Sequence, residues 1–294
     1  MKLCVIGGAG ARSAFLTKSL VKSARDIRVD HIVLLDNDRE RLRTYGEISR
    51  ELARRLDPEL TFEVTSDARA ALTGVDYIIT TIRAGGDAGR LFDEQTCLAH
   101  GVLGQETTGA GGFAMAIRSV PTLVYYCTLA REVANPGHLI FNFTNPSGII
   151  TQALRSKGFD NVYGICDAPS GFIKQLEEIL EIPYGTLDIE CYGLNHLSWF
   201  RNAKVNGRDV QRELLDNPRT YEHSEMRLFT REMARLSGEC MLNEYLYFYY
   251  RRQKSLSMIQ KAEHPRGETI YLINRELEEQ LREACPHLKW EGSP

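Results

Sequence analysis

Short continuous apolar runs, separated by amphipathic and charged stretches, organise the first half of the chain. Lys2–Ile6 is apolar and stops at Gly7-Gly8-Ala9-Gly10, and helical periodicity follows over residues 13–24. Further apolar runs lie at 31–36, 61–64, 76–81, 138–143 and 162–165, with a charged helix expected over 38–56. Runs that are apolar on both faces and alternate with helices predict parallel strands covered on two sides. Past Glu181 the pattern changes. Residues 186–192 and 197–205 read as strands, Asn206-Gly207 as a hairpin turn, and 226–236, 244–253 and 268–284 as helices. The fold class is therefore α/β: a doubly wound Rossmann-like domain over 1–165, followed by an α+β domain over 166–294.

Composition narrows the partners. Lys plus Arg is 36 and Asp plus Glu is 39 in 294 residues, a net charge of −3. That balance excludes a protein built to wrap nucleic acid or coat an anionic membrane. No apolar run approaches the about 18 residues needed to span a bilayer, and the N-terminus reaches its glycines too soon for a signal peptide. Seven scattered cysteines without paired spacing fit a reducing, cytoplasmic location.

Candidate chemistry gathers in a few places. Gly7, Gly8 and Gly10 follow the first strand and precede a helix, where backbone N–H groups suit a pyrophosphate. Ser13 stands where a third glycine of G-x-G-x-x-G is expected. Asp36 ends the second strand, where a carboxylate accepts from an adenosine ribose and repels a 2′-phosphate, favouring NAD over NADP. Asn142, Thr144 and Asn145 end a later strand and are expected to line the same crevice. Cys166 and Asp167 follow another strand, and Asn195-His196 comes thirty positions on. Thiolate and imidazole suit a borderline transition metal. Taken singly, Cys166 reads as a structural cysteine and His196 as a core histidine, and the polar company of Asp167, Asn195 and Asn145 tilts the pair towards a site. The glycine-rich stretch 104–112 reads as a loop pressed on a ligand or as a mobile surface loop. Tyr245, Tyr247, Tyr249 and Tyr250 cluster on an expected helix, most of them as packing residues.

Val5-Ile6-Gly7-Gly8, Leu34-Leu35-Asp36, Asp93-Glu94, Gly104-Gln105-Glu106-Thr107-Thr108-Gly109, Asn142-Phe143-Thr144-Asn145-Pro146, Gly164-Ile165-Cys166-Asp167-Ala168-Pro169 and Gly193-Leu194-Asn195-His196 occur in that order. Together they resemble glycoside hydrolase family 4, over roughly residues 1–280 and most of all its 6-phospho-glucosidases, an exception to two-carboxylate glycoside hydrolysis. The resemblance implies NAD and a divalent metal, Mn, as cofactors. It implies oxidation at C3 of the sugar, C2 deprotonation, elimination, water addition and re-reduction. Carried over by position, Cys166 and His196 hold the metal and Tyr245 is the base. Asn145 and Asn195 contact the sugar, and Arg90, ahead of Arg266, meets the substrate hydroxyls or phosphate. Asp167 stands where β-specific members resemble asparagine and α-specific members carry the leaving-group acid. A 6-phospho-β-glucosidase is favoured over the α form.

Phosphorylated disaccharides or aryl glycosides are the expected substrates, and a homo-oligomer, dimer or tetramer, the expected assembly. The usual C-terminal portion of the family is expected to be missing. Two alternatives stand beside this reading: an NAD-dependent 2-hydroxy acid dehydrogenase of the lactate/malate type, and a non-catalytic sugar or nucleotide binder.

Overall fold

The computed structural model describes residues 1–285. It contains two compact units. One comprises Met1–Thr96, Gly104–Ile165 and the chain from His264 on, and the other comprises Cys97–Leu103 and Cys166–Glu263. The break after Ile165 falls where the two expected domains meet. The second domain, expected over 166–294, differs from the second unit: the chain from His264 rejoins the first. Residues 286–294 lie outside the described residues.

The first unit holds six parallel strands: β1 (Lys2–Ile6), β2 (His31–Leu35), β3 (Thr61–Thr65), β4 (Tyr77–Thr80), β5 (Leu139–Asn142) and β6 (Val162–Gly164). Their order is β3-β2-β1-β4-β5-β6, the doubly wound arrangement with its switch point beside β1. Successive side chains of a strand point to opposite faces, so each central strand feeds two cores. Cys4, Ile6, Val33 and Leu35 join Leu123 and Cys127 of α4 (Gly109–Val133) and Ile150 and Leu154 of α5 (Ser147–Ser156). Leu3, Val5, Ile32 and Leu34 join Val21 of α1 (Ser13–Ser23) and Ala53 of α2 (Glu47–Leu56). Each buried Leu or Ile contributes about 1.5–3 kcal/mol, which is why the centres of β1 and β2, Leu3–Ile6 and Ile32–Leu35, are wholly apolar.

The helix expected over 38–56 is interrupted by a π-helical turn, Leu42–Gly46. Gly46 lies so close to β3 that a Cβ there would meet Val64 Cγ1 at 2.5 Å. Helix α4, with 25 residues, is long and apolar enough to pass for a membrane span. Its buried positions, Met115, Ser119, Leu123, Cys127 and Ala130 among them, recur at helical spacing and pack within the unit.

The second unit is built on an antiparallel sheet of β7 (Leu187–Leu194), β8 (Leu197–Val205), β9 (Arg208–Asp209) and β10 (Met241–Leu242). Asn206 and Gly207, at φ 51° and 79°, close the β8–β9 hairpin with the two positive-φ residues such a turn demands. Phe172 of α6 (Ala168–Leu180) meets Phe200 of β8 edge-on at 4.9 Å, and both are fully buried. The helix expected over 226–236 is a 3-10 turn, Glu225–Leu228, and a short helix, Arg231–Leu236. Thr230 stays extended between them and its hydroxyl accepts from the Met233 N–H at 3.2 Å. The helix expected over 244–253 breaks at Arg251 into α7 (Leu246–Tyr250) and α8 (Arg252–Lys261). The last described helix, α9 (Arg266–Ala284), belongs to the first unit.

Candidate active site

In the first unit, the turn from β1 into α1 is shaped by Gly7 and Gly8. Gly7 has φ 87°, and a Cβ on Gly8 would come within 2.8 Å of Leu34 Cβ. Gly10 differs: the nearest atom to its Cβ position is Ser13 Oγ at 3.9 Å, so its open side leaves room for a close-lying group. Ser13 has its own task, accepting from the Gly10 N–H at 2.9 Å. Asp36 accepts from the Ala9 N–H at 3.1 Å and the Asp38 N–H at 3.0 Å, one on each carboxylate oxygen. A carboxylate has about four acceptor positions, so two remain.

Asn142, expected to line this crevice, lies inside the unit instead. It is fully buried, accepts from Thr80 Oγ1 at 2.8 Å and donates to Thr151 Oγ1 at 3.1 Å. Its amide ties β4 and β5 to the turn that follows. Asn145 comes at that turn, half-buried, with no side-chain hydrogen bond among the described residues.

Arg90 also differs from its expected place. It is 7% exposed, donates from Nε to Glu94 at 2.9 Å, and donates from Nη1 to Glu106 at 3.2 Å. Glu106 also accepts from Arg83 at 3.0 Å, and Arg83 pairs with Asp87. Both carboxylates of the α3 helix (Gly86–Ala99) nearest α9 take donors from it. The Gly267 N–H donates to Glu94 at 2.6 Å and Asn274 to Asp87 at 2.8 Å. Arg90 is thus spent on a buried ionic cluster. Arg266 is exposed, in the first turn of α9, with no carboxylate partner among the described residues. The glycine-rich stretch 104–112 is folded on itself: Gly104 bridges Gly109, and a Cβ on Gly111 would meet the Gln105 carbonyl oxygen at 2.7 Å.

In the second unit, three side chains distant in sequence converge. Cys166 Sγ lies 3.7 Å from His196 Nε2 and accepts from the Ala168 N–H at 3.5 Å, just ahead of α6. Asn195 and His196 form the two-residue turn between β7 and β8, with His196 in the left-handed region at φ 59°. Such backbone strain persists where surrounding structure over-determines it. Here Gly193 lets the hairpin close, since a Cβ there would meet the Leu197 carbonyl oxygen at 2.3 Å. The Nδ1 of His196 is shielded from solvent, and Nε2 faces the sulfur. The Tyr245 ring lies 4.5 Å from the His196 ring, tilted by 58°. Tyr247 is buried edge-on against Phe229 at 5.7 Å, while Tyr249 and Tyr250 are exposed. Asp167 is exposed beside Cys166, and Asn195 is half-buried.

The Cys166–His196 pair fits a metal. A thiolate and an imidazole nitrogen 3.7 Å apart are near enough to share one cation. Among the described residues no group of three or more His, Cys, Asp or Glu side chains could hold an ion. Cys166 and His196 are thus the side chains of this unit that would hold a cation, and a substrate's oxygens would supply further ligands.

The sequence reading passed over Glu225. Its carboxylate accepts from Asn243 Nδ2 at 2.7 Å and from the Glu244 N–H at 3.2 Å, beneath the segment that carries Tyr245. Burial first, and the Glu244 carboxylate with it, push its acid up to about 7. No local motif announces it.

Comparison with known proteins adds a second line of argument. The sequence model of family 4 glycosyl hydrolases matches residues 2–182, and the model of that family's C-terminal domain matches residues 191–293. The expectation of a missing C-terminal portion is corrected by the second match. A 6-phospho-beta-glucosidase of Thermotoga maritima, BglT, is 31% identical over 97% of the chain. A phospho-alpha-glucosidase of Clostridium acetobutylicum, PagL, is 31% identical over 84% of it. The chain spans 67% and 59% of the lengths of these two relatives. A solved structure of the Thermotoga maritima 6-phospho-beta glucosidase with manganese, NAD+ and glucose-6-phosphate superposes with a TM-score of 0.85. That structure is 30% identical, and the match covers 96% of this chain and 68% of that one. With the doubly wound sheet, the Asp36-tipped strand and the Cys166–His196 pair each in its own unit, these matches show that the chain belongs to the family 4 glycosyl hydrolases.

Proposed function

We propose that this chain hydrolyses 6-phospho-glucosides, with NAD held by the first unit and a divalent cation, Mn, held by Cys166 and His196. The observation that carries this reading is the approach of Cys166, His196 and Tyr245 within the second unit. When bound, NAD would supply a hydride acceptor and donor for C3 of the sugar, and the cation would supply a Lewis acid for the sugar oxygens. Tyr245 takes the C2 proton acidified by the C3 ketone. Asp167, exposed beside Cys166, is placed to give a proton to the departing C1 oxygen. Asn145 and Asn195, each without a side-chain hydrogen bond among the described residues, orient sugar hydroxyls. Water then adds at C1, with no net oxidation of the sugar.

The phosphate assignment shifts from Arg90 to Arg266. Arg266 combines an exposed guanidinium with the N-terminal end of a 19-residue helix, both favourable to an anion. Arg90 and Glu94 support it from behind through the Gly267 N–H. Asn142 supports the crevice instead of touching the cofactor.

The β anomer is the favoured substrate, supported by the 31% identity with the Thermotoga maritima β-glucosidase over 97% of the chain. The Asp167 carboxylate supports the α anomer as a second reading. Both are tested with the two nitrophenyl glucoside 6-phosphates in the presence of NAD+, Mn2+ and reductant. Release from the β form that stops on adding chelator or omitting NAD+ is the expected result. Release from the α form alone reverses the anomeric assignment, and release from neither overturns the activity.

Asp36 sets the cofactor. Its carboxylate is turned to the loop, and a 2′-phosphate beside it would be repelled by about 1 kcal/mol or more. Calorimetry is expected to show NAD binding at least about tenfold tighter than NADP. Equal affinities would remove Asp36 from this role.

A further inference from the structure

We infer that Glu225 and Asn243 form a clamp that positions Tyr245 against His196, an inference that rests on Tyr245 being the base. The clamp is a continuous chain of hydrogen bonds within the second unit. The Glu225 backbone N–H donates to Gln175 Oε1 at 3.0 Å, which fixes the glutamate on α6. Glu225 Oε2 accepts from Asn243 Nδ2 at 2.7 Å and from the Glu244 N–H at 3.2 Å. Asn243, 2% exposed, accepts the Tyr245 N–H on Oδ1 at 3.1 Å. Its own N–H donates to the Ser198 carbonyl at 3.0 Å, and its carbonyl accepts from the Leu246 N–H at 3.0 Å. Ser198 lies on β8 two residues past His196 and pairs with Gly193, and its hydroxyl donates to the Leu194 carbonyl at 2.9 Å.

The consequence is geometric. Tyr245 precedes a five-residue helix, too short to hold its own first turn in place. The His196 turn is a two-residue hairpin end. Asn243 is bonded to Tyr245 and to Ser198, the β8 residue that closes that hairpin two positions past His196. Glu225 is the acceptor that orients its amide: with Nδ2 committed to Glu225, Oδ1 is left facing the Tyr245 N–H. A buried carboxylate near a second carboxylate, Glu244, is retained at a cost, since burial raises its acid. An acceptor of that kind is explained by the donors it holds. Glu225 is a positioning residue and Tyr245 the catalytic one.

The test uses the full chain with Mn2+ and NAD+ and reads exchange of the substrate C2 hydrogen with solvent deuterium, alongside kcat and KM. Glu225→Ala removes the acceptor and is expected to lower exchange and kcat together by about 10- to 100-fold, with KM and NAD affinity little changed. Glu225→Gln keeps an oxygen that can accept and is expected to restore exchange to within about threefold of wild type. In a Tyr245→Phe background, Glu225→Ala should add no further loss, because both act on one step. Exchange at the wild-type rate per folded molecule in Glu225→Ala overturns the clamp, as does a Gln variant no better than the Ala variant. If Glu225→Ala does not fold, Asn243→Ser reads the same contact from its other end with the same expected loss. Wild-type exchange in Tyr245→Phe alone removes the base assignment and the clamp with it. Loss in Tyr245→Phe without loss in Glu225→Ala or Asn243→Ser removes the clamp only.

Discussion

Tyr245→Phe is expected to lose about 10²- to 10⁴-fold in turnover, the range that removal of a general base produces. The substitution keeps the ring that packs edge-on against Phe248 at 5.3 Å and lies 4.5 Å from His196. Only the hydroxyl goes, so Tm should move by less than about 4 °C, equivalent to about 1 kcal/mol in a chain of this size. A phenol ionises near pH 10 in water, and a cation held by the adjacent Cys166–His196 pair is the influence that would stabilise its anion. Solvent exchange of the C2 hydrogen should fall in step with turnover. Wild-type exchange in this variant would move the base to another side chain.

The second large effect is expected at the metal pair. Cys166→Ser replaces a thiol that ligates as its anion with a neutral hydroxyl at the same place, and Mn2+ affinity measured by calorimetry should fall by more than about 100-fold. Cys166 is half-exposed and outside the buried cores, so the fold and NAD affinity should survive. Loss of activity without loss of Mn2+ binding would separate the thiol from the metal. His196→Ala tests the same pair from the other side, but it also removes the ring that lies 4.5 Å from Tyr245, so the cysteine variant gives the cleaner reading.

The sheet of the first unit was legible because its central strands β1 and β2 are apolar on both faces, a pattern no amphipathic helix shares. Breaks inside helices were less so. Thr230 looks like any helical position until its hydroxyl is seen to cap Arg231–Leu236. At the site, Cys166 and His196 stood out as residues whose chemistry goes together, whereas Tyr245 was separated from Tyr247, Tyr249 and Tyr250 only by a resemblance. The structure separates them by burial and by contact with His196. The setting of Arg90 was not legible because its carboxylate partners lie away from it in sequence. Glu94 is four residues away, Glu106 sixteen, and the donor on Glu94's other oxygen lies 173 residues on from it. The setting of Asn142 was hidden for a like reason, its partners Thr80 and Thr151 being invisible to any local pattern. Glu225 pairs with Asn243 across eighteen residues and a reversal of the chain.

The return of α9 to the first unit bears on how this protein is made. Translation delivers all six strands of that unit by Gly164, yet Gly267 emerges about a hundred residues later. At about 5–20 residues per second the interval is about 5–20 s. Throughout it, Glu94 lacks the Gly267 donor, and the face that α9 covers stays open to water. The nascent sheet is therefore held in an incomplete state while the second unit is synthesised. The part of the molecule encoded first is completed last, and a ribosome that stalls before Gly267 leaves it unfinished.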